Sequence, residues 1–162
     1  VIDLLEGSSD KDSEIYLILG KSHALMKNEK KSDRYFSLAL DYYPSSGRYI
    51  HEIASYYASQ ENYDKAMQVI RSFDPFVEKH KGPHNPRGIY VYLIRDLEGE
   101  IYYEQGNKIN ALQIAKTNLQ DAENGVYVTT SARTRYFRTK TSCIENLKEK
   151  VQKYKNNLTD ES

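Results

Sequence analysis

The sequence predicts an all-α protein in which pairs of helices stack on one another. Small residues recur at fixed spacings, glycine and proline are scarce at 8 and 4 of 162 residues, and apolar residues near the carboxyl end recur every three or four positions. Few helix breakers favour long helices, and a repeat of about 34 residues is typical of stacked helix pairs. These three observations together indicate the all-α class.

Composition excludes several other classes of protein. Lys plus Arg and Asp plus Glu both number 23, and this zero net charge disfavours a general binder of nucleic acid or of anionic membranes. Cys143 is the only cysteine, which excludes an intramolecular disulfide and a cysteine-based zinc site. No apolar run is long enough to span a membrane, and no signal peptide is recognisable. We therefore expect one domain, located in the cytoplasm.

Three segments of the chain repeat one another. Each has a small residue on a first helix, an asparagine in the following turn and a second small residue on the next helix. Corresponding positions lie 34 residues apart between the first two units and 45 apart between the last two. Small residues allow close helix approach, and the asparagine can cap the second helix. These positions are Gly20, Asn28 and Ser32; Ala54, Asn62 and Ala66; and Gly99, Asn107 and Ala111.

This pattern resembles the tetratricopeptide repeat (TPR) family. The second and third units match the family's turn and second helix well. The first unit departs from it, with His23 where an aromatic residue is usual and Ser32 where alanine is usual, although Pro44 supplies the proline that often ends the second helix. The resemblance implies a right-handed α-α superhelix, a TPR-like solenoid, whose first helices line a concave groove for peptides.

The repeats delimit the elements in order along the chain. An acidic segment at 1–12 is expected to be a frayed lead-in or the end of a preceding helix. Three helix pairs then occupy 13–122, and an insertion at 74–86 either extends the helices beside it or forms a surface loop. The predicted helices are 13–26, 31–42, 47–60, 63–73, 87–105 and 108–122.

The end of the chain, 123–158, is predicted to be a degenerate repeat that covers the last apolar face, followed by a tail at 159–162. One apolar stripe predicts a helix at 142–157, with Ser142 as its cap. A helix at 126–139 is expected before it, although β-branched residues there leave a strand-like start open. The stripe consists of Ile144, Leu147, Val151, Tyr154 and Leu158.

The TPR resemblance also implies which residues face the concave groove. The Lys and Asn pattern that clamps a chaperone's C-terminal carboxylate is absent, because Leu17, Lys21, Glu52, Leu93 and Leu97 stand at its positions. A chaperone tail is therefore disfavoured, and the acidic third unit favours a ligand that carries Lys or Arg. The implied groove residues are Glu14, Leu17, Lys21, Ala24, Arg48, His51, Ser55, Ser59, Asp96, Glu100, Tyr103 and Glu104.

Two further clusters suggest other chemistry. His80 and His84 have helical metal-pair spacing, but Gly82 and Pro83 between them break a helix, so no metal site is expected. A basic cluster could bind phosphate or RNA, which predicts a steep loss of affinity with salt, although on a helix its charges would not form one stripe. This cluster consists of Arg133, Arg135, Arg138 and Lys140.

The sequence contains no catalytic motif, and we expect neither enzymatic activity nor a cofactor. The predicted function is a non-catalytic protein–protein interaction module, an adaptor or scaffold that binds a peptide or protein segment in the groove. Three alternatives stay open: a peptide-sensing regulatory domain of a larger protein, phosphate or RNA binding through the basic cluster, and a groove filled by the chain's own ends or by a neighbouring domain. The partner's identity and the oligomeric state are not determined by the sequence, although the acidic first segment could meet the basic last one head to tail.

Overall fold

The computed structural model describes residues 2–7, 12–42, 44, 46–74, 87–124 and 140–159. Within these ranges all regular structure is α-helical and there is no strand, which confirms the all-α class. The helices are α1 (Ile2–Glu6), α2 (Ser13–Leu25), α3 (Glu29–Tyr42), α4 (Gly47–Ser59), α5 (Tyr63–Arg71), α6 (Arg87–Glu104), α7 (Lys108–Glu123) and α8 (Lys140–Thr159).

Seven of these helices were predicted, and both ends of each lie within two residues of the predicted bounds. The prediction of a cap at Ser142 was wrong, because α8 begins two residues earlier, at Lys140. The lead-in segment contains a short helix, α1. The predicted helix at 126–139 and most of the insertion, 75–86, lie outside the described residues.

Three turns with one geometry separate α2 from α3, α4 from α5 and α6 from α7. Each contains a residue in the left-handed region, namely Lys27 (φ 56°), Glu61 (φ 57°) and Gly106 (φ 79°). The N–H of the next residue, the turn asparagine, donates to a carbonyl five residues back at 2.8–2.9 Å. This is the bond that ends a helix in a Schellman motif. The spacings between the three turns are again 34 and 45 residues.

The turn asparagines cap the second helices, as the sequence predicted. Their Oδ1 atoms accept hydrogen bonds from the backbone N–H three residues ahead, at 3.4 Å for Asn28 and 3.3 Å for both Asn62 and Asn107. Each bond satisfies one of the N–H groups that the first turn of a helix leaves without a partner.

The helices pack as consecutive pairs around a continuous core. α2 packs on α3, α4 on α5, α6 on α7, and α8 on α7, while α4 and α6 join the second pair to the third. All six small residues of the repeat are buried, as expected. On α8, the predicted stripe is the buried face, with Leu147, Val151 and Tyr154 packed among residues of α6 and α7. None of the helices in the described ranges combines the length and the apolarity that crossing a bilayer requires.

Candidate functional site

A cleft of about 440 Å³ opens between α4, α6 and α8 and is called the inner cleft here. α4 contributes Ser55 and Ser59, and α6 contributes Glu100, Tyr103 and Glu104. All five are predicted groove residues. Ser55 and Glu100 stand 45 residues apart, as do Ser59 and Glu104, so equivalent positions of two repeats meet at this cleft. The repeat spacing thus explains why these side chains are neighbours.

The opposite wall of the inner cleft comes from α8. The ring of Tyr154 stacks on that of Tyr103, with centroids 4.6 Å apart and an interplanar angle of 20°. Lys153 Nζ lies 4.8 Å from the centroid of Tyr103, a cation–π contact, and the Asn157 amide donates to the Tyr103 hydroxyl. These contacts fix Tyr103 and hold α8 against α6.

Asp96, Glu100 and Glu104 form an acidic row on α6, and Lys150 of α8 pairs with the first two of them. Its Nζ lies 2.6 Å from Asp96 Oδ1 and 2.6 Å from Glu100 Oε1. Burial alone would lower the pKa of Lys150, but the two carboxylates outweigh it and the pKa is raised. Burial raises the pKa of Asp96, and Lys150 opposes that rise. The carboxylates that were predicted to attract a ligand's Lys or Arg are therefore engaged by a lysine of the chain itself.

Glu104 differs from these two carboxylates. It is exposed at the end of α6, and its carboxylate makes no hydrogen bond or ion pair within the described ranges. An unpaired carboxylate at the rim of a cleft can receive a cation without displacing an existing partner. Of the three acidic residues in the row, Glu104 is the one placed to contact a basic ligand.

His51 lies near this region, on the preceding helix. Burial lowers its pKa, against the opposing effect of the Glu52, Asp96 and Glu100 carboxylates. Burial thus favours the neutral imidazole over the imidazolium. Its Nε2 lies 3.5 Å from Ser55 Oγ, longer than the separation of an activated nucleophile and its base. The pair can offer hydrogen bonds to a ligand.

The other predicted charged residues form an ion-pair network between α2 and α4. Arg48 binds Glu14 with two hydrogen bonds of 2.9 and 3.1 Å and donates through Nε to Glu52 at 2.9 Å. Lys21 also pairs with Glu52. Burial would raise the pKa of Glu52, but Lys21 and Arg48 outweigh it and the pKa is lowered. Glu14, Lys21 and Arg48 thus connect the first two repeats.

The prediction that Leu17 lines an open groove was wrong. Its side chain is only 1% exposed and belongs to the main core, together with residues of α3 and α4. The reason is that α2 packs against α3, the other helix of its pair, and also contacts α4 of the next pair. This buries a wider arc of α2 than the repeat pattern alone indicates.

The predicted basic cluster and the histidine pair lie outside the described residues, apart from the backbone of Lys140. Arg133, Arg135 and Arg138 lie outside the described residues, and so does the side chain of Lys140 at the start of α8. His80 and His84 lie outside them as well. Across the described ranges, no group of three or more His, Cys, Asp or Glu side chains is arranged to hold a metal ion.

Sequence reasoning missed the residues that α8 contributes, namely Lys150, Lys153 and Tyr154. The apolar stripe located α8, but not the face of α6 against which it packs. One feature of the sequence could have indicated that α8 packs on α6. Lys150 and Lys153 are spaced as neighbours on one side of the stripe, and the acidic row on α6 is the complementary surface.

No protein-family model, curated protein or solved structure matches this chain.

Proposed function

We propose that this chain is a non-catalytic protein–protein interaction module with the architecture of a TPR-like right-handed superhelix, and that it binds a peptide segment in the inner cleft. The observation that carries the proposal is the convergence of Ser55, Glu100, Tyr103 and Glu104 on one cleft. Ser55 and Glu100 occupy equivalent positions of two repeats, and Tyr103 and Glu104 follow Glu100 on the same helix. A cleft of about 440 Å³ falls within the range that holds small ligands and peptide side chains.

The superhelical architecture is supported by the repetition of local structure. The three turns share their hydrogen bonds and their left-handed residue, and they recur at the spacings of the small residues. First helices also contact one another across the repeats, through Arg48 with Glu14 and through the packing of α4 on α6. Regular stacking of similar pairs generates a superhelix with one face formed by the first helices.

The chemistry of the inner cleft favours an extended peptide with a basic side chain. The Ser55 and Ser59 hydroxyls can hydrogen-bond to a peptide backbone. Leu97 and Tyr63 supply apolar surface in the same cleft, and Glu104 supplies the unpaired carboxylate. A Lys or Arg of the ligand would pair with Glu104 while its neighbours pack on the apolar wall.

A random peptide display selection against the purified chain tests the proposal. Selected peptides would be synthesised with a fluorophore, and their affinities measured by fluorescence anisotropy. The double variant Ser59→Arg/Glu104→Lys places bulk and positive charge in the inner cleft at two exposed positions. We expect a loss of affinity of about tenfold or more, equivalent to at least ~1.4 kcal/mol.

The matched control is the double variant Gln113→Arg/Glu145→Lys. It makes the same change of charge at two exposed positions of α7 and α8 that do not line the inner cleft. Affinity should be unchanged in this control. Selected peptides that bind both double variants as tightly as the parent chain would contradict the inner cleft as the binding site.

A further inference from the structure

A second groove, larger than the inner cleft, lies between α3 and α5 and is called the outer groove. Its volume is about 510 Å³. Phe36, Ile53 and Tyr57 form its apolar floor, and Leu40 and Val69 form parts of its walls. It shares no lining residue with the inner cleft. Nothing in the proposed peptide-binding function uses it.

Among the described residues that line the outer groove, one carries a charge that no ion pair compensates. Asp33 accepts a hydrogen bond of 2.7 Å from the Tyr57 hydroxyl and is paired with Lys65, so its charge is compensated. Asp41, also on α3, is exposed, and its carboxylate forms no hydrogen bond or ion pair with the described part of the chain. An apolar groove with one free carboxylate at its rim complements an apolar side chain that stands beside a cation.

The chain exposes a surface of this kind in the turn after α2. Leu25 is 87% exposed and Met26 is 54% exposed, and Lys27 follows Met26 directly. Lys27 is exposed and forms no ion pair with any described residue. The turn is fixed by backbone hydrogen bonds of 2.9 Å from Lys27 N to Ala24 O and from Asn28 N to His23 O. A rigid turn loses little conformational entropy when it binds.

The fold does not require apolar residues at this place. The equivalent turns of the second and third units have the same geometry but carry Ser59-Gln60-Glu61 and Glu104-Gln105-Gly106. The exposed Leu25 and Met26 are therefore not explained by turn formation. Exposed apolar side chains without a structural reason mark an interaction surface.

We propose that the turn formed by Leu25, Met26 and Lys27 in one copy docks into the outer groove of a second copy of this chain. Leu25 and Met26 pack on the apolar floor, and Lys27 pairs with Asp41. Within one copy Lys27 cannot reach Asp41, because Lys27 precedes the amino-terminal end of α3 and Asp41 lies near the carboxyl-terminal end of that helix. Each copy carries both surfaces, so two copies related by a two-fold axis would form two such contacts.

Sedimentation velocity of the whole chain over a wide concentration range tests this proposal. The parent chain should shift from the 18.8 kDa monomer towards the dimer as concentration rises. The variant Leu25→Ser/Met26→Ser should remain monomeric. The control Ile109→Ser removes an equally exposed apolar residue, 72% exposed on α7, and should associate like the parent.

A charge swap makes the test specific to the two surfaces. Lys27→Asp and Asp41→Lys each create a like-charge contact and should weaken association by about tenfold, whereas the double swap should restore it. Asp is tolerated at the left-handed φ of position 27, and a lysine near the end of α3 suits the helix dipole. A parent chain that stays monomeric throughout, a dimer that survives Leu25→Ser/Met26→Ser, or a double swap that fails to restore association would each overturn the proposal.

Discussion

At the scale of single residues, Gly20 and Gly99 hold the same repeat position in different surroundings. A methyl group at Gly20 would overlap the Phe36 ring, with Cε1 only 2.6 Å away. At Gly99 the nearest atom would be Ile114 Cγ2 at 3.5 Å, an ordinary van der Waals contact. Tight packing therefore requires a small residue at this repeat position in the first unit but not in the third.

We predict opposite effects of alanine at these two glycines. Gly20→Ala should lower the free energy of unfolding by about 1–3 kcal/mol, because it overpacks the α2–α3 contact. Gly99→Ala should raise it by about 0.5–1 kcal/mol, because alanine favours the helix and fits the available space. Urea denaturation followed by circular dichroism measures both values. Equal effects of the two substitutions would show that packing at this position does not differ between the units.

The left-handed turn residues allow a second pair of substitutions. Glu61 has a φ of 57°, in the left-handed region that glycine adopts without a steric penalty. The equivalent residue of the third turn, Gly106, has a φ of 79° and is already a glycine. Glu61→Gly should stabilise the chain by about 0.5–1 kcal/mol, and Gly106→Ala should destabilise it by about 1 kcal/mol. Thermal denaturation of each variant, compared with that of the parent chain, measures both changes in stability. A destabilised Glu61→Gly would mean that the left-handed turn is not the controlling factor there.

The sequence predicted the residues whose roles are local. Small contact residues and turn asparagines follow from spacing alone, because each acts within one helix pair. Burial of Leu17 and the pairing of Lys150 with Asp96 and Glu100 could not be predicted in this way. These features depend on which helices of different pairs become neighbours. That arrangement is set by the packing of the whole core rather than by a local pattern.

At the scale of elements, the short helix α1 is attached to the first pair through Glu6. Its Oε1 accepts from the Tyr35 hydroxyl at 3.0 Å and lies 2.9 Å from His23 Nε2 and 3.2 Å from Lys31 Nζ. Hydrogen bonds to His23, Lys31 and Tyr35 lower the pKa of Glu6 from its ordinary value of 4.5 to about 2. His23 of α2 thus provides part of the attachment site.

The attachment of α1 should consequently depend on pH. A lowered carboxyl pKa contributes stability fully above 4.5, and this contribution is lost as the pH falls towards 2. An NMR titration should give a pKa near 2 for Glu6, and the amide signals of 2–6 should move towards random-coil positions over the same range. Glu6→Gln should produce that shift already at neutral pH, while Glu29→Gln, an exposed control, should not. A Glu6 that titrates near 4.5 would contradict the hydrogen-bonded geometry.

Element boundaries were predictable, but the partner of α8 was not. Helix starts and stops depend on local capping and turn chemistry, so the predicted bounds agree with the structure within two residues. The stripe of Leu147, Val151 and Tyr154 predicted which face of α8 is buried. It could not predict that the lysines beside this stripe would lie against the acidic row of α6, which determines the charge of the inner cleft.

At the scale of the whole molecule, α6 connects the two halves of the core. Ile94 and Ile101 belong to the cluster formed with α2 to α5, Val91 and Tyr92 pack with Leu147 of α8, and further tyrosines contact the cluster between α7 and α8. Loss of packing on α6 should therefore affect both halves. Loss of packing on α8 should affect only the carboxyl-terminal half, because stacked repeats interact chiefly with their neighbours.

Two alanine substitutions at equally buried positions test this arrangement. Ile101 is 1% exposed and Leu147 is 0% exposed, and truncation of either should cost about 2–5 kcal/mol. In native-state hydrogen exchange, Leu147→Ala should speed exchange in α7 and α8 while α2 and α3 keep their protection. Ile101→Ala should lower protection in every helix from α2 to α8, because the helix it weakens is shared by both halves of the core. If both variants lose protection uniformly, the chain unfolds as one cooperative unit, and α6 is not the connection on which the coupling of the two halves depends.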